Sequence, residues 1–185
     1  EITTRERIHL LVYFRSPHDL HHFYEAHVLP HRPRGAIATS VVDRGVADIL
    51  TALRRYDHLT SAAHPFALAK NGWMSAREQH RHIEPLIGEL DALEVCNGEE
   101  MDGGNDATSE LARGGGHGAT AGSDGHTLAE LGCVSLALPP GADLFEAVLA
   151  RATPLVDLRA PGTWRRLVSH AAKAPYFARL PADYA

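Results

Sequence analysis

The chain has 185 residues, 44% hydrophobic and 22% charged, which suits one globular domain with at most a short tail and argues against wholesale disorder. Its formal net charge of -5 gives no basic footprint for a general nucleic-acid binder, and no apolar run approaches the roughly 20 residues that span a bilayer. Two cysteines, Cys96 and Cys133, make no disulfide framework, so a reducing, cytoplasmic setting is expected.

Residues 8–14 (IHLLVYF) are apolar and rich in β-formers, and predict a buried strand. Ser16 reads as an N-cap, with Pro17 at the first helical position and Asp19 in the first turn, and predicts a helix to about residue 28. Residues 30–35 (PHRPRG) end it. Residues 41–56 place Val42, Val46, Ile49, Leu50 and Leu53 at helical spacing. Residues 59–66 (LTSAAHPF) predict a short strand ending at a proline. Ser75, with Glu78 three residues later, predicts a capping box that opens a helix over 75–90.

Residues 93–96 (LEVC) predict a strand ended by Asn97-Gly98, and residues 105–113 a helix ended by three glycines. Residues 118–122 predict a strand of small residues, and 131–138 (LGCVSLAL) another. After the turn at 139–141 a helix is predicted over 143–152, followed by a helix and irregular tail containing Trp164, Tyr176 and Phe177. Strands alternating with helices predict an α/β fold with a mainly parallel sheet, either open or closed into a barrel. No strand is followed by a glycine-rich phosphate loop, which disfavours a dinucleotide-binding or P-loop protein.

The 13 histidines are in excess, and histidine is the commonest metal ligand. Three segments end a predicted strand with metal-ligand side chains: Ala62-Ala63-His64-Pro65, Glu94-Val95-Cys96-Asn97-Gly98 and Gly122-Ser123-Asp124-Gly125-His126. In parallel α/β folds the functional site lies at the carboxyl ends of the strands. Asp124 and His126, two apart around a glycine, can bring an oxygen ligand and an imidazole to one point. Pro65 predicts an extended backbone at His64.

AAHPF, EVCNG and GSDGH followed by Thr127 resemble the later motifs of the PHP superfamily, the polymerase and histidinol phosphatase family of metal-dependent phosphoesterases. Glu1-Ile2-Thr3 resembles its glutamate-bearing strand, and Ile8-His9-Leu10-Leu11 the strand that follows. Asn105, Ala107 and the Glu110-Leu111-Ala112 helix match the same layout, so the resemblance covers roughly residues 1–138. It implies a distorted (β/α)7 barrel over residues 1–152, with 153–185 a C-terminal extension packed on it. It also implies two or three divalent transition metal ions, Zn, Mn or Fe. Glu1 would be a bridging carboxylate, with His9, His64, Asp124 and His126 as further ligands. Asp124, His126 and His64 would be central to catalysis, and a metal-activated water would attack a small phosphorylated metabolite or nucleotide. The family's aspartate-x-histidine-x-histidine strand has no counterpart here, so its N-terminal strands are expected upstream of Glu1.

Other residues invite other readings. Arg5, Arg7 and Arg15 could hold a substrate phosphate, Arg5 being nearest the expected rim. His18 and His22, spaced i, i+4, could chelate on a helix face, although His18, His21, His22, His27 and His31 read as a solvated surface. His80 and His82 read the same way, and His117 could approach the site. Glu94 and Asn97 read as strand-ending or supporting groups. The acidic balance disfavours a nuclease acting on nucleic-acid ends, and a non-catalytic PHP-like scaffold is the alternative from another class.

Overall fold

The computed structural model describes residues 1–33, 41–67, 72–100, 103–125, 128, 130–152 and 154–156. Five strands form one open sheet in the order β1 (Ile2–Thr3), β2 (His9–Phe14), β3 (His58–Ala62), β4 (Ala92–Asn97) and β5 (Gly118–Gly122). β1–β2 and β2–β3 pair antiparallel, whereas β3–β4 and β4–β5 pair parallel. The sheet is therefore mixed and not mainly parallel.

The expected (β/α)7 barrel is not formed. β5 is an edge of the sheet, because the next strand, β6 (Val134–Leu136), pairs antiparallel with β7 (Pro154–Val156) in a separate two-stranded sheet. A barrel needs each strand to pair on both sides around a closed ring, and β6 is already committed elsewhere. β7 belongs to residues 153–185, expected as a C-terminal extension, and it pairs with β6; residues 157–185 lie outside the described residues.

The β1–β2 connection is a tight turn in which Arg7 takes a φ of 59° and Thr4 and Ile8 exchange backbone and side-chain bonds. That turn sets Thr3 opposite His9. In β2, Leu10, Val12 and Phe14 face one side while His9, Leu11 and Tyr13 face the other. The first side packs with Ala62 and Leu93 into the main core, covered by Phe23, Ile49, Leu53 and Trp73 from the helices. The second side is only partly covered, by Phe145 and Val148 of α5 (Leu144–Leu149) and by Leu136. β2 is consequently half-buried rather than buried throughout.

The predicted first helix is present as α1 (Pro17–Phe23), capped by Ser16, and a π-helical turn (Tyr24–Val28). The second is shorter than predicted, α2 (Val46–Leu53). Its expected first turn is held as loop, because Val42 N–H donates to Thr3 O and Arg44 O accepts from Arg5 N–H. Gly45 precedes α2 and has no side chain to cap it, so Glu6 Oε2 accepts from Val46 N–H at 3.1 Å instead. A Cβ at Gly45 would lie 2.6 Å from Glu6 Oε1, so a side chain there would push aside the carboxylate that caps α2.

The predicted helix over 75–90 is two elements. α3 (Trp73–Gln79) starts earlier, burying Trp73, and Ser75 Oγ donates to Ala67 O rather than capping. A 3-10 helix (Arg81–Glu89) follows, because Pro85 has no N–H for an α-helical bond and its ring crowds the preceding turn. α4 (Gly104–Gly115) lies between β4 and β5. No helix among the described residues is long and apolar enough to cross a membrane.

Candidate functional site

The carboxyl ends of β3, β4 and β5 lie beside the start of the antiparallel β2, so His9 meets the residues that follow the parallel strands. The backbone locks this junction: Ala63 N–H donates to His9 O at 3.1 Å. His9 Nδ1 lies 3.1 Å from Glu1 Oε1 and 3.2 Å from His64 Nε2. His64 Nε2 is in turn 4.0 Å from Asp124 Oδ2. Four of the ligands implied by the resemblance thus form a continuous chain of donors. His126, the fifth, lies outside the described residues.

Two of these residues carry unusual backbone. His64 has a φ of 28° and Asp124 a φ of 48°. The extended conformation expected at His64 from Pro65 is not adopted. A turn from His64 O to Ala67 N–H and a bond from His64 N–H to Glu94 Oε2, each 2.9 Å, hold it otherwise. Strained backbone of this kind persists where surrounding structure over-determines it, and it clusters at functional sites. His64 Nδ1 is buried without a hydrogen-bond partner, so the ring is positioned through its backbone and Nε2.

Glu94 and Asn97, read from the sequence as supporting groups, organise the floor of the cluster. Both are buried. Glu94 Oε2 accepts from His64 N–H and from Asn97 Nδ2, each at 2.9 Å, and Asn97 Nδ2 also donates to Asp124 Oδ2 at 3.3 Å. Asn97 Oδ1 accepts from the N–H groups of Glu99 and Glu100, and its backbone is clamped by the Asn105 side chain. The Glu94 carboxylate and the Asn97 amide together therefore link the ends of β3, β4 and β5. The signal in the sequence was the Glu-x-x-Asn spacing at the end of a strand, which alternation alone places on no particular partner.

Burial pushes the Glu94 carboxyl up to about 7, outweighing the bonds from Asn97 and His64, and the Asp124 and Glu1 charges add to the rise. Below it on the same face, burial and the Glu94 charge push the Tyr13 hydroxyl up to about 12. For His9, burial outweighs the pull of Glu1, and His64 adds to the lowering, so the imidazole stays below its ordinary range. A neutral imidazole is the form that binds a metal.

The donor chemistry fits a divalent transition ion: two imidazoles and two carboxylates. The 3.1 and 3.2 Å separations are close to the about 3.3 Å between two donors on a tetrahedral ion with bonds of about 2.0–2.1 Å. Among the described residues no three such side chains are yet closed around one point; they run as a chain, with Asp124 the most distant.

The other expected residues stand elsewhere. The Arg5 guanidinium is engaged by Asp43, through Oδ1 at 2.9 Å and the carbonyl at 3.2 Å. Arg15 pairs with Asp57 and Asp143 and covers the Phe145 ring. His117 stands at the opposite end of β5 from Asp124, with Nδ1 at 2.9 Å from Leu90 O. His18 and His22 stack at 6.4 Å between ring centroids, and His22 bonds the Tyr56 hydroxyl.

No family model matches the chain, and no curated protein matches it. Its fold is similar to the crystal structure of PsfC from Pseudomonas syringae PB-5123, with a TM-score of 0.58 at 17% sequence identity. The match covers 95% of this chain and 64% of that one, so the chain spans less than two thirds of PsfC's length. At that identity the likeness shows the fold alone.

Proposed function

We propose that the chain is a metal-dependent phosphoesterase of PHP type that hydrolyses a small phosphorylated metabolite or nucleotide in a cytoplasmic setting. One observation carries this reading: Glu1, His9, His64 and Asp124, from four separate places in the sequence, form one run of donors at the strand ends. A satisfied structural histidine needs one partner. Two imidazoles in contact between two carboxylates are a donor arrangement suited to cations.

Glu1, His9, His64 and Asp124 would hold the divalent ions, with His126 the further ligand implied by the GSDGH motif. Bound there, such ions polarise a phosphoryl oxygen and lower the pKa of a water. The chain's own residues supply position and protons. Asn97 fixes the Asp124 carboxylate through Nδ2. Glu94 fixes the His64 backbone through Oε2, which leaves Oε1 as the place for a proton near neutral pH. His9, held neutral by burial, presents Nδ1 to Glu1 and His64.

The test is hydrolysis of p-nitrophenyl phosphate by the whole chain with added Mn or Zn, beside a chelator-treated sample. Metal-dependent turnover that disappears in Asp124→Ala supports the reading. Metal binding without turnover on any small phosphate ester in a broad panel contradicts it and favours a non-catalytic binding domain.

A further inference from the structure

On the helix-covered side of the sheet, away from the Glu1–Asp124 cluster, lies a second polar feature. A cleft of about 240 Å³ separates the π-helical turn from α2, lined by His27, Arg44, Asp48, Thr51, Ala52 and Arg55. The chain as a whole is acidic, yet this cleft gathers two guanidiniums and an imidazole from three separate segments.

Among the described residues, neither arginine is neutralised by an ion pair. Arg5, Arg15, Arg54 and Arg77 each have a carboxylate within 4.0 Å. Among the described residues neither Arg44 nor Arg55 has one. The lone carboxylate in the lining, Asp48, is turned to its own helix start, where Oδ2 accepts from Gly45 N–H at 3.3 Å. Arg44 Nη1 lies 3.4 Å from His27 Nδ1. Burial, then the Arg44 and Arg55 charges, hold His27 below the ordinary imidazole range, so a neutral ring accepts from Arg44 and orients its guanidinium. His27 itself is braced between the Phe23 and Tyr56 rings. The arrangement leaves two planar forks of N–H donors and the Thr51 hydroxyl around one opening.

We infer that this cleft is a binding site for a small tetrahedral oxyanion of the phosphate class. Paired guanidiniums match phosphate oxygens in a bidentate geometry that neither a lysine nor a histidine reproduces. The volume falls below the roughly 300 Å³ at which pockets for larger organic ligands begin, so the recognised group is the oxyanion itself, free or as the head of a monoester. Arg44 also ties the site to the strand that carries the candidate cluster, because its carbonyl accepts from Arg5 N–H at 2.9 Å beside β1. The inference does not depend on the phosphoesterase reading.

The experiment is calorimetric titration of the whole chain with inorganic phosphate, in chelator so that no metal offers a competing site. One phosphate is expected to bind, weakened at least about tenfold by Arg44→Gln and by Arg55→Gln, since a charge-assisted contact is lost in each. Arg77→Gln, at an arginine paired with Glu84 outside the cleft, is expected to bind phosphate as the wild type does. Arg55 is exposed, so Arg55→Gln keeps the fold, which circular dichroism verifies. Phenyl phosphate distinguishes the source: binding equal to phosphate indicates a monoester, weaker binding a free oxyanion. No phosphate binding at millimolar concentration, undiminished binding in Arg55→Gln, or an equal loss in Arg77→Gln would each overturn the inference.

Discussion

His9 Nδ1 and His64 Nε2 are 3.2 Å apart although 55 positions separate them in the chain. The rings meet edge to face, at 5.1 Å between centroids and 68° between planes. Antiparallel pairing of β2 with β3 creates this meeting, since it brings the first residue of one strand beside the last of the other. A parallel pairing would have placed them at opposite ends of the sheet.

The first prediction concerns that pair. His64→Ala and Asp124→Ala are expected to reduce metal affinity by at least about tenfold and to bring metal-dependent hydrolysis to background, whereas His21→Ala changes neither. His21 is exposed and lies 3.1 Å from Glu25 of the π-helical turn, far from the cluster. Asn97→Ala, which frees Asp124 and Glu94, is expected to cost about 10–100-fold in metal affinity, the usual effect of removing a group that orients a ligand. Competition with a chromogenic chelator measures all four. Equal affinity across them contradicts the site.

The second concerns pH. The Glu94 carboxyl is raised from its ordinary value of 4.5 to about 7 in the folded chain. Between those values the folded state holds the proton more tightly than the unfolded one. This contribution to stability is therefore full below about pH 4.5 and is lost as pH rises through 7, with a slope of at most about 1.4 kcal/mol per pH unit. Urea unfolding in chelator across pH 5–7 is expected to show the decline in the wild type and a flatter profile in Glu94→Gln. Identical slopes would remove Glu94 as the titrating group.

Two glycines give a contrasting third prediction. A Cβ on Gly98 would lie 2.5 Å from Ser123 O, a backbone atom that leads directly to Asp124. Gly98→Ala is expected to destabilise by about 1–3 kcal/mol, as over-packing against fixed neighbours does. A Cβ on Gly122 would meet Glu94 Oε1 at 2.9 Å, the movable end of a side chain. Gly122→Ala is expected to cost less stability while displacing the carboxyl, and so to weaken metal binding. Thermal unfolding and metal titration of both variants check the contrast; a larger stability loss for Gly122→Ala contradicts it.

The fourth is a core control. Leu93 is wholly buried, on the face of the sheet away from the cluster. Leu93→Ala is expected to cost about 2–5 kcal/mol by denaturant unfolding. Metal affinity of the folded fraction is expected to stay at the wild-type value, and a loss comparable to His64→Ala would show that the cluster depends on general packing.

Much of the element pattern was legible in the sequence because it rests on local chemistry. Ser16 capping, the Pro17 start and the left-handed Gly116 after α4 mark their boundaries wherever the chain goes. What escaped was decided at a distance. Residues 41–45 have helical spacing, but they bond to β1, which no local pattern encodes. The helix over 75–90 was read from Ser75 and Glu78 at its start, and Pro85 within that span breaks it into two elements. Strand direction is invisible to periodicity, so a mixed open sheet and a parallel barrel read alike, and family resemblance tipped the expectation towards the barrel. The same resemblance picked out Glu1, His9, His64 and Asp124, which the structure does bring together. Glu94 and Asn97 were undervalued because their role depends on three strand ends meeting.

The most direct test is metal content by elemental analysis of the whole chain, purified without chelator and incubated with Mn or Zn, beside His64→Ala and Asp124→Ala. The account predicts two or three equivalents of divalent transition metal in the wild type and a loss of metal in both variants. A wild type that retains no metal, or variants that retain as much as the wild type, would contradict it.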